Sequence, residues 1–383
     1  MLDFLTPISD KLIDFVENLH EHSLGKKIVF NTGNNHLNIG KGDIVLLTIP
    51  EMRNRTQEDK GEANFNGVRK ELYQLMFGNW ELVIFDIGEI VPGNTVEDTY
   101  FATQKTINEL LEIEALPIVL GGGNDLVYPM YRAFDGVKKG VNLVSIDSHF
   151  DIGNIELPIT NKSYIGKVII DPPYNLLNYT NIGYQSYYVS PEEKDLVQKL
   201  FFESYRLGDV VSNLKRVESL VRNADLISLD LSSVQGILNN GVPNGFTSRE
   251  ICALARYSGL SDRVGLFGLF EYEDEKVNFI TKSLVAQVIW YYIEGVSLRW
   301  NEIIDDQKND LIHYNVPLND EVYAFYKSTK TGRWWMEVAY LTSEENNLTN
   351  KTLIPCDYED YVNACNNLLT DRWYNAKKRY EML

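Results

Sequence analysis

The chain has 383 residues, 44% of them hydrophobic, enough for one large core with an appendage, and its formal charge of -18 disfavours nucleic acid and anionic membrane as partners. No apolar run reaches the roughly 18 residues of a membrane-spanning helix, and Met1-Leu2-Asp3-Phe4 lacks the basic-then-apolar pattern of a secretory signal. Three widely spaced cysteines, Cys252, Cys356 and Cys365, suit reduced thiols in a cytoplasm better than a disulfide framework.

Short apolar runs recur along the chain at Ile44–Leu47, Leu82–Phe85, Ile118–Leu120, Leu143–Ile146, Leu226–Leu229 and Leu266–Phe270. Their length predicts strands, and their unbroken apolarity predicts strands buried on both faces. Helical spacing follows Thr95 (Ile107, Leu110, Leu111) and Thr281 (Val285, Val288, Ile289, Tyr292, Ile293), the latter helix stopping near Gly295. Strands alternating with helices predict an α/β fold with a central parallel sheet between helical layers. That unit takes in residues 1–305. Residues 306–383 read as a C-terminal aromatic-rich extension packed on the core, with Trp334, Trp335, Trp373, a strand over Glu321–Tyr326 and helix from Tyr358 onward.

Function in open parallel sheets sits beyond the carboxyl ends of strands. Three apolar runs end in polar clusters: Gly121-Gly122-Gly123-Asn124-Asp125, Asp147-Ser148-His149-Phe150-Asp151 and Asp230-Leu231-Ser232. If the strands continue, alternation aims Asp147, His149 and Asp151 one way, and Asp230 with Ser232 likewise. Carboxylates and an imidazole converging at a strand end suit a divalent cation. His20, His22, His36 and His313 lie outside these clusters, and the cysteines have no histidine partner in sequence. The loops Ile152–Ser163 and Gln235–Val242 carry no recognisable motif.

In order and spacing the three clusters resemble Gly-Gly-x-His, Asp-Ala-His-x-Asp and Ser-x-Asp-x-Asp, the fingerprint of the ureohydrolase superfamily of arginases, agmatinases and formimidoylglutamases. Ala63, Asn66 and Arg69, the pair Asp86 and Gly88, the segment Pro243–Glu250, Glu271 and the helix after Thr281 fit the same pattern over residues 40–297. The triple-glycine turn is closer to the formimidoylglutamase branch. The resemblance implies a three-layer α-β-α arginase-like fold. It also implies two manganese ions, one held by Asn124, Asp147, Asp151 and Asp230 and the other by Asp147, His149, Asp230 and Ser232. Catalysis would rest on Asp147, His149 and Glu271, the last contacting an amidine or guanidinium.

Asn124 stands where the family has His, and Ser232 where it has Asp. Amide and hydroxyl oxygens are weaker manganese donors than imidazole and carboxylate. Three carboxylates carry -3 against +4 for two divalent ions, so one cation or none is expected. Carboxylates crowded together repel, which calls for a single cation, a nearby Lys or Arg, protonation, or separation and water. The first reading is therefore a formimidoylglutamase-like protein with a degraded dinuclear site and weak or lost hydrolysis. The alternatives are an active metal-dependent hydrolase of linear amidine C–N bonds, taking formiminoglutamate or a related compound, and a scaffold protein using the extension. A cytoplasmic homo-oligomer is expected in each case.

Overall fold

The computed structural model describes residues 2–56, 63–236, 242–272, 279–302, 310–318, 321–341 and 349–382. Ten strands form one sheet: β1 (Leu5–Thr6), β2 (Ile28–Phe30), β3 (Ile44–Ile49), β4 (Ile84–Ile90), β5 (Leu116–Gly121), β6 (Val141–Ile146), β7 (Leu176–Tyr184), β8 (Glu203–Arg206), β9 (Leu226–Asp230) and β10 (Leu266–Phe270). The order is β1-β4-β3-β5-β10-β9-β6-β7-β8, with β2 also on β4, and all pairs but β1/β4 are parallel. The expected α/β class with a central parallel sheet is what the chain adopts.

The continuous apolar runs are explained by two hydrophobic layers, one on each face. Along β3, Ile44 and Leu46 enter one layer while Val45, Leu47 and Ile49 enter the other; Phe267 and Leu269 of β10 oppose Leu266 and Phe270 in the same way. Helices Asn66–Gln74, Ser248–Leu260 and Phe279–Ser297 supply the first layer, and Val96–Glu112, Val127–Arg132 and Tyr164–Ile170 the second. The helix after Thr95 starts with a reciprocal cap between Thr95 and Asp98. Sequence reading missed β7 and β8, where Asn178, Thr180, Asn181 and Glu203 interrupt the apolar pattern.

The helix expected to stop near Gly295 runs on to Ser297. Gly295 is a crossing point instead. A Cβ there would lie 2.3 Å from Arg256 O and 2.9 Å from Gly259 Cα, so two helices pack backbone against backbone.

Asp86 and Gly88 have a structural use. Arg69 grips the Asp86 carboxylate with Nε (2.9 Å) and Nη2 (3.0 Å) and donates to Gly88 O (2.9 Å), while Tyr73 OH donates to Asp86 at 2.6 Å. All of these side chains are buried, so the helix Asn66–Gln74 is pinned to β4 by a fully paired ion pair.

A second sheet is an antiparallel meander of β11 (Leu311–Leu318), β12 (Glu321–Ser328), β13 (Trp334–Leu341) and β14 (Thr349–Cys356), followed by helices Tyr358–Cys365 and Asp371–Glu381. Trp334 and Trp373 enter its own small core. Arg222 donates to Trp334 O (2.8 Å) and lies 4.8 Å over the Trp335 ring, and Arg372 and Arg379 both reach Glu203 at 3.1 Å. The unit boundary expected after residue 305 falls outside the described residues.

Candidate functional site

Four neighbouring strands of the sheet centre, β5, β10, β9 and β6, end at one level. Leu120 pairs with Leu269, Phe270 with Asp230, and Leu229 with Ile146. The residues that follow, Asn124, Glu271 and Asp147, and Asp230 itself, therefore meet at one point on the rim. Gly122 makes this close fit possible: a Cβ there would lie 2.3 Å from Glu51 O, and its carbonyl accepts from Glu271 N–H at 2.7 Å.

Asp147, Asp151 and Asp230 each bring a carboxylate oxygen within 4.8 Å of the others, and all three are buried. The means differ from the strand alternation expected from sequence. β6 ends at Ile146, and the chain turns back through Asp151, whose φ is +51°. This left-handed conformation is uncommon for a non-glycine residue and is held by surrounding structure. Asp230 closes β9, and its Oδ1 accepts the Ser232 N–H at 2.6 Å, so Ser232 meets it through backbone.

A cation is already present. Lys162 Nζ lies 3.5 Å from Asp151 Oδ1 and 3.6 Å from Asp230 Oδ2, two buried oxygens that no hydrogen-bond donor satisfies. The Asn124 amide Nδ2 faces Asp147 Oδ2 (3.4 Å), Asp151 Oδ2 (3.3 Å) and Tyr164 OH (3.3 Å). Burial, reinforced by the Asp230 charge, pushes the Asp147 carboxyl up to about 7. Burial also holds Asp151 well above the usual carboxylate range. For Lys162 the pull of Asp151, Asp230 and Asp147 outweighs burial, so the ammonium keeps its proton.

Glu271 stands beside this group, again at positive φ (+65°). Its Oε1 accepts from Asn124 N–H (2.9 Å) and Asn161 Nδ2 (3.0 Å). Its Oε2 accepts from Arg55 Nε (2.9 Å) and is paired with Arg55 Nη2 (2.8 Å).

His149 does not join the carboxylates. Its Nδ1 lies 2.9 Å from Ser148 Oγ and 3.8 Å from Asp147 Oδ1, and its ring stacks on Tyr188 at 4.6 Å. Burial and the Lys162 charge lower its pKa, which favours the neutral ring. His20, His22, His36 and His313 are exposed and lie outside this cluster. Sequence reading missed Arg55, Asn161 and Lys162. Asn161 and Lys162 sit in a loop without a motif, and a lysine in a polar loop carries no local sign of burial.

Comparison with known proteins fixes the family. A profile described as "Arginase family" matches residues 55–294, more than half of the chain. The chain belongs to the Arginase family. Formimidoylglutamase of Halalkalibacterium halodurans is 24% identical over 244 residues, covering 57% of this chain and 74% of that one. Among solved structures, Trypanosoma cruzi formiminoglutamase with Mn2+ superposes with a TM-score of 0.59 at 17% identity, covering 67% of this chain and 94% of that one. Bacillus subtilis formimidoylglutamase gives 0.61 at 16% identity, with 69% and 90% covered. These structural likenesses establish the arginase fold.

For an Arginase-family site the donor set accommodates one divalent cation and not two. Three carboxylates supply -3 once all have shed their protons, as metal ligands must. One divalent ion together with the Lys162 ammonium would balance them, whereas two ions beside that ammonium would leave +2. The Asn124 amide turns its N–H groups, and not its oxygen, toward Asp147 and Asp151.

Proposed function

We propose that this Arginase-family chain is a formimidoylglutamase-like protein in which Lys162 stands in for one of the two cations, leaving a site for one divalent ion at most and hydrolysis weak or lost. The observation that carries this is the Lys162 ammonium placed between Asp151 and Asp230. A divalent ion held by Asp147, Asp151 and Asp230 would lower the pKa of a bound water and so supply a nucleophile. The chain's own residues act against a second ion: Lys162 repels it, Asn124 offers amide protons, Ser232 offers backbone, and His149 is stacked away. The ligand class would be a small amidine or guanidino compound, by likeness to the relatives. A cytoplasmic homo-oligomer belongs to the same reading.

The test is turnover. Protein loaded with manganese is assayed against formiminoglutamate, agmatine and arginine, beside Asp230→Ala. Activity at or near the Asp230→Ala background is expected. Ordinary turnover abolished by Asp230→Ala would support the second reading, an active hydrolase, which the convergence of three carboxylates within 4.8 Å favours.

A further inference from the structure

The geometry points to a second internal substitution, independent of the metal question: the Arg55 guanidinium occupies the cation subsite of Glu271, so an external guanidinium or amidinium enters only by displacing it. Both oxygens of Glu271 are engaged, Oε2 by Arg55, whose Nε donates at 2.9 Å and whose Nη2 lies 2.8 Å from the same oxygen, and Oε1 by Asn124 N–H and Asn161 Nδ2. Arg55 and Glu271 are 4% and 2% exposed in their side chains, so the pair is closed to solvent. A planar guanidinium or amidinium pairs with a carboxylate through charge-assisted N–H···O bonds. A ligand of that class would need Oε2, the oxygen that Arg55 now covers.

The arrangement is built from distant parts. The peptide N–H of Asn161 donates to Asn54 O (3.1 Å), and Thr56 N–H donates to Asn161 Oδ1 (3.0 Å), so the Arg55 segment is clamped by the residue that also holds Glu271. Glu271 keeps its strained φ at the end of β10, next to Gly122. Removing the arginine side chain would leave an arginine-shaped space facing an oriented carboxylate. Such a space takes methylguanidinium.

The test uses the full chain and methylguanidinium as the probe, with methylammonium as control, followed by calorimetry and melting temperature. Arg55→Ala should bind methylguanidinium saturably and gain about 2 °C near tenfold excess over its dissociation constant. Methylammonium should do markedly less, and adding Glu271→Gln should abolish the gain. No saturable response in folded Arg55→Ala overturns the proposal. Should Arg55→Ala fail to fold, the wild type decides: no binding up to about 20 mM methylguanidinium is expected, and binding that Glu271→Gln removes would show an open subsite. These readouts do not depend on metal content, so failure here leaves the Lys162 reading standing, and the reverse holds too.

Discussion

Asn161 and Asn54 join two loops that bring both internal cations to the sheet rim. The peptide N–H of Asn161 donates to Asn54 O at 3.1 Å, one residue before Arg55, while Lys162 follows Asn161 directly. Arg55 and Lys162 are thereby placed as a unit against Glu271 and the three aspartates. Asn161→Ala keeps that peptide hydrogen bond to Asn54 but should loosen both, because it strips a donor from Glu271 and an acceptor from Thr56 N–H. A loss of about 1–2 kcal/mol is expected, since Glu271 Oε1 keeps the Asn124 N–H and Thr56 is exposed, read from urea unfolding. A change within about 0.5 kcal/mol, the range of an ordinary surface substitution, would show that the loops are held by something else.

Gly122 sets how closely the Glu51 segment approaches the site. Gly122→Ala would push a methyl to 2.3 Å from Glu51 O. Overpacking of this kind costs about 1–3 kcal/mol, and the accommodating shift would move Glu271, whose N–H donates to the Gly122 carbonyl. Denaturant titration gives the first quantity. A variant as stable as the wild type would mean that the rim has slack.

Arg69→Met isolates the buried Asp86 carboxylate and should cost about 3–5 kcal/mol. The double variant Arg69→Met with Asp86→Leu should recover part of this, since no lone charge is left. A double variant less stable than Arg69→Met alone would argue that the pair itself stabilises strongly.

The contact of the second sheet and its helices with the first is expected to be acid-sensitive through Glu203. Burial raises this carboxyl, but Arg372 and Arg379 outweigh it and hold it below the ordinary glutamate range. A depressed carboxyl stabilises above its unfolded pKa and loses that contribution as pH falls through the folded value. Tryptophan fluorescence or limited proteolysis should therefore report loosening below pH 4.5, and Glu203→Gln should be loosened already at neutral pH. An unchanged proteolysis pattern down to the acid unfolding limit would contradict this.

Much of the architecture was legible because the central strands are buried on both faces: Ile44–Leu47 or Leu266–Phe270 cannot be read as anything exposed. The strand-end clusters were legible for the same reason, since Asp147 and Asp230 follow such runs directly. What local pattern could not show is how Asp151 returns to the site through a left-handed turn, or that β6 stops before His149 and leaves its ring stacked on Tyr188. Lys162 and Arg55 were hidden for a deeper reason. Their roles come from contacts across the fold, Arg55 lying 216 residues from Glu271, and a charged side chain in a polar loop has the same local signature whether it faces solvent or, like the half-buried Lys162, turns onto buried carboxylates. Crowded carboxylates did require compensation, but only tertiary structure says that a lysine provides it.

Manganese stoichiometry and affinity, measured side by side for the wild type and Lys162→Met purified without chelator, test the central claim most directly. The wild type should hold one ion per chain or less. Lys162→Met should bind manganese about tenfold more tightly or better, a conservative share of the roughly 4 kcal/mol that two unit charges exchange at about 4 Å in an effective dielectric of about 20. Two tightly held ions per wild-type chain, with Lys162→Met no different, would contradict the account.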